Sequence, residues 1–254
     1  MVNRTLRDAA GNLVAFYDDL TWEQVLPVRP CAFHDDFLGA VAAVPAAGSA
    51  VAGYPWVKKI QLTAGVPTVA RVASQIGGVV ACALDATSEK QEATLYFGDE
   101  LEFDLTKGAV FDARAALSVL PSATGVEAFW GLMSTWIDGP NSNTYYVRFA
   151  ATASGEVFCQ SYDGTTTFSV DSGVALVAGA FHQFRIDATN PTGEIGFFID
   201  GAKVSPLLGA GKTPITFAAG PPHSTLQPML GVYKASGTGV ATLQADVVRV
   251  WQTR

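Results

Sequence analysis

The sequence contains little charge and has no basic segment. Only 15% of its 254 residues are Asp, Glu, Lys or Arg, and the formal net charge is −7. Because no run of Lys and Arg interrupts this acidic balance, we expect no nucleic-acid partner. We expect no membrane partner either, since no apolar run approaches membrane-spanning length and the N-terminus lacks the apolar core of a signal peptide.

Cysteine and histidine are also scarce. The chain has three of each, and Cys31, Cys82 and Cys159 are far apart with no C-x-x-C pair. A disulfide framework and a zinc site are therefore not indicated. The sequence also lacks G-x-S-x-G, H-E-x-x-H and a complete phosphate-binding G-x-x-x-x-G-K-[ST]. From these absences we predict a protein without enzymatic activity and without a required cofactor.

Short alternating segments separated by turn residues make up most of the chain. Residues 180–204 are the best example, because polar and apolar side chains alternate on either side of an Asn-Pro turn. Asp200-Gly201 then favours a two-residue hairpin turn. This pattern predicts an antiparallel meander with Phe184 and Ile186 in the core or, failing them, Ile195 and Phe197. About a dozen such strands predict an all-β sandwich of two sheets.

Polarity and turn residues give the expected boundaries of other strands. Residues 85–91 are polar and predict a loop. Residues 95–105 and 110–120 predict two long strands joined at Lys107-Gly108, and the largely apolar residues 129–137 predict a central strand.

Residues 1–30 differ from the rest and predict an N-terminal arm before one sandwich domain in residues 31–254. This segment mixes charges with isolated apolar side chains and closes on Pro27 and Pro30. Phe16, Tyr17 and Trp22 are residue types that often anchor interfaces, so we expect them to contact a partner.

The motif G-x-I-x-F-x-I-D-G-x-x-V at residues 193–204, after the aromatic-His pair Phe181-His182, resembles the late hairpin of laminin-G and concanavalin-A-like β-sandwiches. Together with residues 95–117, 129–133 and 226–252, it resembles a group of tailed-phage structural proteins. The resemblance implies a concanavalin-A-like antiparallel jelly roll and a capsid decoration, or auxiliary head, protein. The implied partner is the major capsid protein, the implied assembly is a homo-oligomer with a trimer favoured, and the implied location is the virion, made in the host cytoplasm.

Two functions other than capsid decoration stay open. A carbohydrate-binding module of a tail fibre or adhesion protein would stack sugars on aromatic rings, and Trp56, Trp136 and Tyr145 are the candidates. This alternative keeps a glycan as an expected partner.

A glycoside hydrolase is the second alternative. Alternation over residues 100–104 would place Glu100, Glu102 and Asp104 on one strand face. The order E-x-E-x-D departs from the E-x-D-x-x-E of concanavalin-like glucanases, which the row resembles only in part. We therefore expect this row to be solvated and not catalytic.

A weak calcium candidate lies in residues 138–143. Asp138, Asn141 and Asn143 could each supply one oxygen, the ligand atom that Ca²⁺ prefers. The same residue types are common in ordinary turns. A plain loop is the alternative, so Ca²⁺ is not required by the sequence.

Overall fold

The computed structural model describes residues 31–38, 55–75, 77–190, 193–204, 215–217 and 225–253, together with the backbone of three strands before residue 26. The helices of these residues are three short 3-10 turns, at Leu105–Lys107, Pro140–Ser142 and Ala153–Gly155. None of the helices described is long and apolar enough to cross a membrane.

The three N-terminal strands form an antiparallel sheet of their own. They are β1 (Asn3–Arg7), β2 (Leu13–Asp18) and β3 (Gln24–Val25), in the order β1-β2-β3. The side chains of Phe16 and Tyr17, and all of Trp22, lie outside the described residues. Their expected contact with a partner therefore stays a prediction.

Sixteen further strands form a sandwich of two antiparallel sheets, which confirms the predicted fold class. They are β4 (Cys31–Asp35), β5 (Val57–Leu62), β6 (Thr68–Arg71), β7 (Val80–Ala83), β8 (Gln91–Tyr96), β9 (Phe103–Asp104), β10 (Val110–Val119), β11 (Val126–Met133), β12 (Tyr146–Ala151), β13 (Glu156–Tyr162), β14 (Thr167–Ala175), β15 (His182–Asp187), β16 (Gly196–Ile199), β17 (Ala202–Lys203), β18 (Thr225–Lys234) and β19 (Thr242–Gln252).

Neighbouring strands in each sheet are mostly distant in sequence. The first sheet has the order β17-β16-β15-β10-β19-β7-β6, with β4 also paired to β19. The second has the order β14-β13-β12-β11-β18-β8-β5, with β9 also paired to β18. Such long-range pairing is typical of jelly-roll sandwiches, in which consecutive strands exchange between sheets.

An aromatic network joins the two sheets. Trp130 of the second sheet lies 4.7 Å from Phe184 of the first, measured between ring centroids, and Phe149 lies 5.1 Å from Phe197. All four rings are at most 1% exposed. Edge-to-face contacts of this kind add to the free energy gained by burying the rings. The predicted core role of Phe184 and Phe197 is confirmed, as is that of Ile186 and Ile195.

The strand that precedes β9 begins and ends earlier in the chain than predicted. We predicted a loop over residues 85–91 and one long strand over 95–105, whereas β8 spans Gln91–Tyr96 and then ends. Gly98 and Asp99 stop it, because both have positive φ angles of 67° and 72°. Only Gln91 of β8 fell in the predicted loop and only Leu95 and Tyr96 fell in the predicted strand, although all six residues of β8 are buried.

Candidate functional site

The second sheet has one face on the core and one turned away from it, which we call the outer face. Strand register places Glu92, Tyr233 and Glu127 side by side on the outer face of β8, β18 and β11. Gly131, Arg148 and Gln160 form a neighbouring row across β11, β12 and β13. These rows bring titratable groups from separate parts of the chain onto one surface.

Arg148 is the central charged group of the outer face, and it is fully buried. Its Nε donates to Gln160 at 2.9 Å, and its Nη2 lies 2.8 Å from Glu127 Oε1. Tyr146 places its ring 4.5 Å from the guanidinium carbon. The guanidinium therefore has a carboxylate, an amide and an aromatic ring as neighbours, although its Nη1 atom has no hydrogen-bond partner.

A glycine makes room for this arginine. A Cβ atom on Gly131 would lie 2.5 Å from the carbonyl oxygen of Val147 and 2.6 Å from Cα of Arg148. Both are backbone atoms, which cannot move aside cheaply. Strand β12 can therefore approach β11 closely only because residue 131 has no side chain.

The connection between β11 and β12 folds back over the outer face. We call residues 134–145 the crossing loop. Within it, the indole Nε1 of Trp136 donates to Glu92 at 2.7 Å, and the amide of Gly139 donates to the other Glu92 oxygen at 3.0 Å. Asn141 donates to Glu127 at 2.8 Å and also accepts from Arg148. The loop thus contacts charged side chains from three strands of the sheet.

Glu92 is 1% exposed and holds the crossing loop with both carboxylate oxygens. The Thr94 hydroxyl donates to it as well, at 2.7 Å. Burial raises the pKa of Glu92, and the three hydrogen bonds oppose that shift only in part. A carboxyl with a raised pKa is the type of group that acts as an acid in enzyme sites, although structural networks raise pKa values too.

Three partly exposed aromatic rings border these polar groups. Trp136, Tyr162 and Tyr233 pack against the apolar residues of the outer face and keep part of their surface in solvent. Lys59 places its ammonium 4.3 Å from the centroid of the Trp136 ring, which fixes one side of the indole. Burial also raises the pKa of Tyr233, and the nearby carboxylates Asp138 and Glu92 act in the same direction.

Of the aromatic candidates predicted from sequence, only Trp136 lies on this surface. Trp56 is fully buried and donates its indole N–H to Asp35 at 2.8 Å, so it offers no ring face to a sugar and this candidate is wrong. Tyr145 is half-buried and packs against the core between the sheets. An alternating strand pattern could not show which rings the neighbouring strands would cover.

Two of the three side chains proposed for calcium already use an oxygen on a protein partner, and the third side chain is buried. Asp138 forms an ion pair with Lys90, and the amide oxygen of Asn141 accepts from Arg148. Asn143 donates its amide nitrogen to the carbonyl of Thr135 at 2.8 Å and is buried. In the part of the chain that the structure describes, no group of three or more His, Cys, Asp and Glu is placed to hold a metal.

The acidic row expected at residues 100–104 does not lie on one strand. Glu100 and Glu102 are exposed in the segment after β8, and only Asp104 lies in β9. The Asp104 carboxylate accepts from the amide and hydroxyl of Thr106 and caps a 3-10 turn. The premise of a single strand face was therefore wrong, while the expectation that the row is not catalytic stays a prediction.

Sequence reasoning missed Glu92, Glu127 and Arg148. Each is a single charged residue within an otherwise ordinary strand segment, and they meet only through strand pairing. One local signal was available in β12, whose sequence is YVRFAA. An arginine between apolar residues in a central strand needs a partner on the same sheet face.

Comparison with solved structures shows the concanavalin-A-like β-sandwich fold. A protein of unknown function from Shewanella oneidensis MR-1 is 9% identical over 89% of this chain and 87% of its own, with a TM-score of 0.58. A β-1,3-1,4-glucanase (lichenase) from a mouse hindgut metagenome is 12% identical over 88% and 99%, with a TM-score of 0.55. A chain described with gut-bacterial endo-acting O-glycanases that initiate mucin breakdown is 14% identical over 87% and 99%, with a TM-score of 0.54.

These likenesses contradict the expectation that the chain has no enzymatic activity. Chains with this fold include glucanases and O-glycanases, so the missing motifs did not justify excluding an enzyme. No family model and no curated protein matches the sequence. None of these three proteins is described as a virion protein, so the expected capsid role gains no support from them.

Proposed function

We propose that this protein binds a carbohydrate on the outer face of the second sheet. The observation that carries the proposal is the surface itself, where the rings of Trp136, Tyr162 and Tyr233 border charged and amide groups. Sites for small ligands combine aromatic walls with a few placed polar groups, and sugars present both an apolar face and hydroxyls. The lichenase and the chain described with O-glycanases, which share this fold, support the same ligand class.

Hydrolysis of the bound glycan is a second candidate function. It is favoured by two carboxyl side chains on the outer face, Glu92 and Glu127, which lie in register on either side of Tyr233. Their strands are separated only by β18, which puts the two backbones about 10 Å apart at the usual strand spacing. In inverting glycosidases the two carboxyls are roughly 6.5–9.5 Å apart, a separation that side chains on backbones this far apart can reach. The raised pKa of Glu92 fits a proton donor, and Glu127 would be the base.

Calorimetric titration with soluble mixed-linkage β-glucan and with mucin O-glycans tests binding. We expect saturable binding to one of these classes, and about a tenfold loss of affinity in Tyr233→Ala, as for an aromatic residue at the centre of a contact. Phe181→Ala is the matched control, because Phe181 is also half-buried but stacks on Arg114 of the first sheet. Equal affinities of the two variants would place the glycan elsewhere, and absence of binding to either class would refute the proposal for these ligands.

Release of reducing ends tests hydrolysis with the same glycans. We expect activity to be lost in Glu127→Gln and retained in Glu156→Gln, a control at an exposed position of β13. A product of inverted configuration is expected from the strand spacing. Binding without any release of reducing ends would leave recognition alone as the function.

The virion location and the capsid partner stay proposals that rest on the sequence resemblance. A tail-fibre or adhesion module would need to bind glycans. The outer face supports that alternative. The binding experiment does not depend on a virion context.

A further inference from the structure

The charged groups of the proposed carbohydrate site are closed off from solvent. Glu92 is 1% exposed and Arg148 is fully buried, and both are hydrogen-bonded to the crossing loop. A glycan could not contact either side chain in this arrangement. Any ligand that uses them must first displace residues of the loop.

The crossing loop is held by polar contacts and by two aromatic rings. Trp136 packs on the outer face and Tyr145 near the core, while Gly139 and Asn141 bond to side chains of the sheet and Asp138 pairs with Lys90. The exposed residues of the loop are Thr135, Ile137, Asp138, Asn141, Ser142 and Thr144. Surface loops open locally at a lower free energy than core strands, so a ligand could take the place of the polar contacts of this loop.

The closed arrangement leaves hydrogen-bonding capacity unused. Arg148 Nη1 is buried without a partner beside Glu127, and Asn143 Oδ1 within the loop is buried without one too. Buried polar groups of this kind are costly and are rare in folded proteins. A polar ligand that replaced the loop could supply partners that the loop itself does not.

We propose that the crossing loop is a lid that closes the outer-face site, with Glu92 as its latch. This inference rests on the proposed carbohydrate function for the identity of the ligand, but the opening of the lid is a property of the protein alone. Glu92 suits the role of latch because one carboxylate accepts from both a side chain and a main-chain amide of the loop, at 2.7 and 3.0 Å. Lid closure would then compete with ligand binding.

Hydrogen exchange of the full-length protein, followed by NMR, tests the lid without any ligand. We expect the Gly139 amide to exchange at least about tenfold faster than that of Phe149 in the core, because only the lid must open. Trp136→Phe keeps an aromatic ring and removes the indole donor to Glu92, so it should accelerate Gly139 exchange about tenfold. The same substitution at Trp251, on the first sheet, is the control and should leave the Gly139 rate unchanged.

Glycan titration then tests the competition. Asn141→Ala removes the contacts of the lid with Glu127 and Arg148 and keeps the three aromatic rings of the site, so it should bind the glycan more tightly than the parent protein does. If it binds the glycan equally or more weakly, lid closure does not compete with binding and the lid is wrong. If Gly139 exchanges as slowly as Phe149 in every variant, the lid does not open and is likewise wrong. Accelerated exchange without glycan binding would confirm the opening and refute the carbohydrate proposal instead.

Discussion

The core face of the second sheet and the part of its outer face under the crossing loop are both buried but are built from different chemistry. Side chains alternate along β12: Val147 and Phe149 point to the core, while Tyr146 and Arg148 point to the outer face. The first sheet covers the core face, and the contacts there are between apolar side chains. The crossing loop covers this part of the outer face, where side chains of the sheet contact the loop and one another through hydrogen bonds and ion pairs. Burial alone therefore does not identify the core of this protein.

The largest expected effect tests the core face. Phe184→Ala removes a fully buried ring that lies 4.7 Å from Trp130 and 5.2 Å from Phe149. We expect the free energy of unfolding to fall by about 3 to 5 kcal/mol, as in other Phe→Ala changes in cores. Urea denaturation measures this change. Phe181→Ala, the same substitution at a half-buried position nearby, should cost clearly less, and an equal cost would mean that burial between the sheets does not set the contribution of Phe184 to stability.

A smaller effect is expected from breaking the ion pair on the outer face. Glu127→Gln keeps the shape of the side chain but leaves the buried Arg148 guanidinium without its counter-charge. We expect a loss of about 1 to 3 kcal/mol in the free energy of unfolding. Glu156→Gln, at an exposed site, should stay within about 0.5 kcal/mol of the parent protein. If the two variants were equally stable, the outer face would tolerate unpaired charge and the contrast with the core face would weaken.

Glu92 should make the outer face sensitive to pH. Burial raises the pKa of Glu92 in the folded state, so the folded protein binds this proton more tightly than the unfolded chain does. The contribution of this group is therefore fully present below the unfolded pKa of about 4.3 and is lost as pH rises through the folded pKa. Glu92→Gln cannot titrate at this position. Urea denaturation at several pH values should show the stability of the parent protein falling relative to that of Glu92→Gln as pH rises, whereas a constant or rising difference would contradict the shift.

The smallest effects should come from the exposed acids after β8. Glu100→Gln combined with Glu102→Gln should change the free energy of unfolding by no more than about 0.5 kcal/mol, because both side chains are exposed. Glycan binding and any release of reducing ends should be unaffected as well. A loss of glycanase activity in this double variant would move the candidate site away from the outer face.

The sequence by itself determined the features that depend on neighbours along the chain. The alternation in β15 placed Phe184 and Ile186 in the core, and Asp200-Gly201 formed the expected turn with φ angles of 51° and 80°. Residue order fixes these features, because strand faces repeat every two residues and tight turns need residues that tolerate positive φ.

Only the tertiary structure decided which polar residues meet and which outward faces are covered. Glu92, Glu127 and Arg148 come from three different strands, and the start of β8 was predicted as a loop because Gln91 follows a polar segment. Trp56 and Trp136 are equally plausible stacking rings in the sequence, yet one lies in the core and the other on the outer face. Alternation says that successive side chains point to opposite sides of a strand, but what lies on each side is set by strand pairing and by loops that cross the sheet.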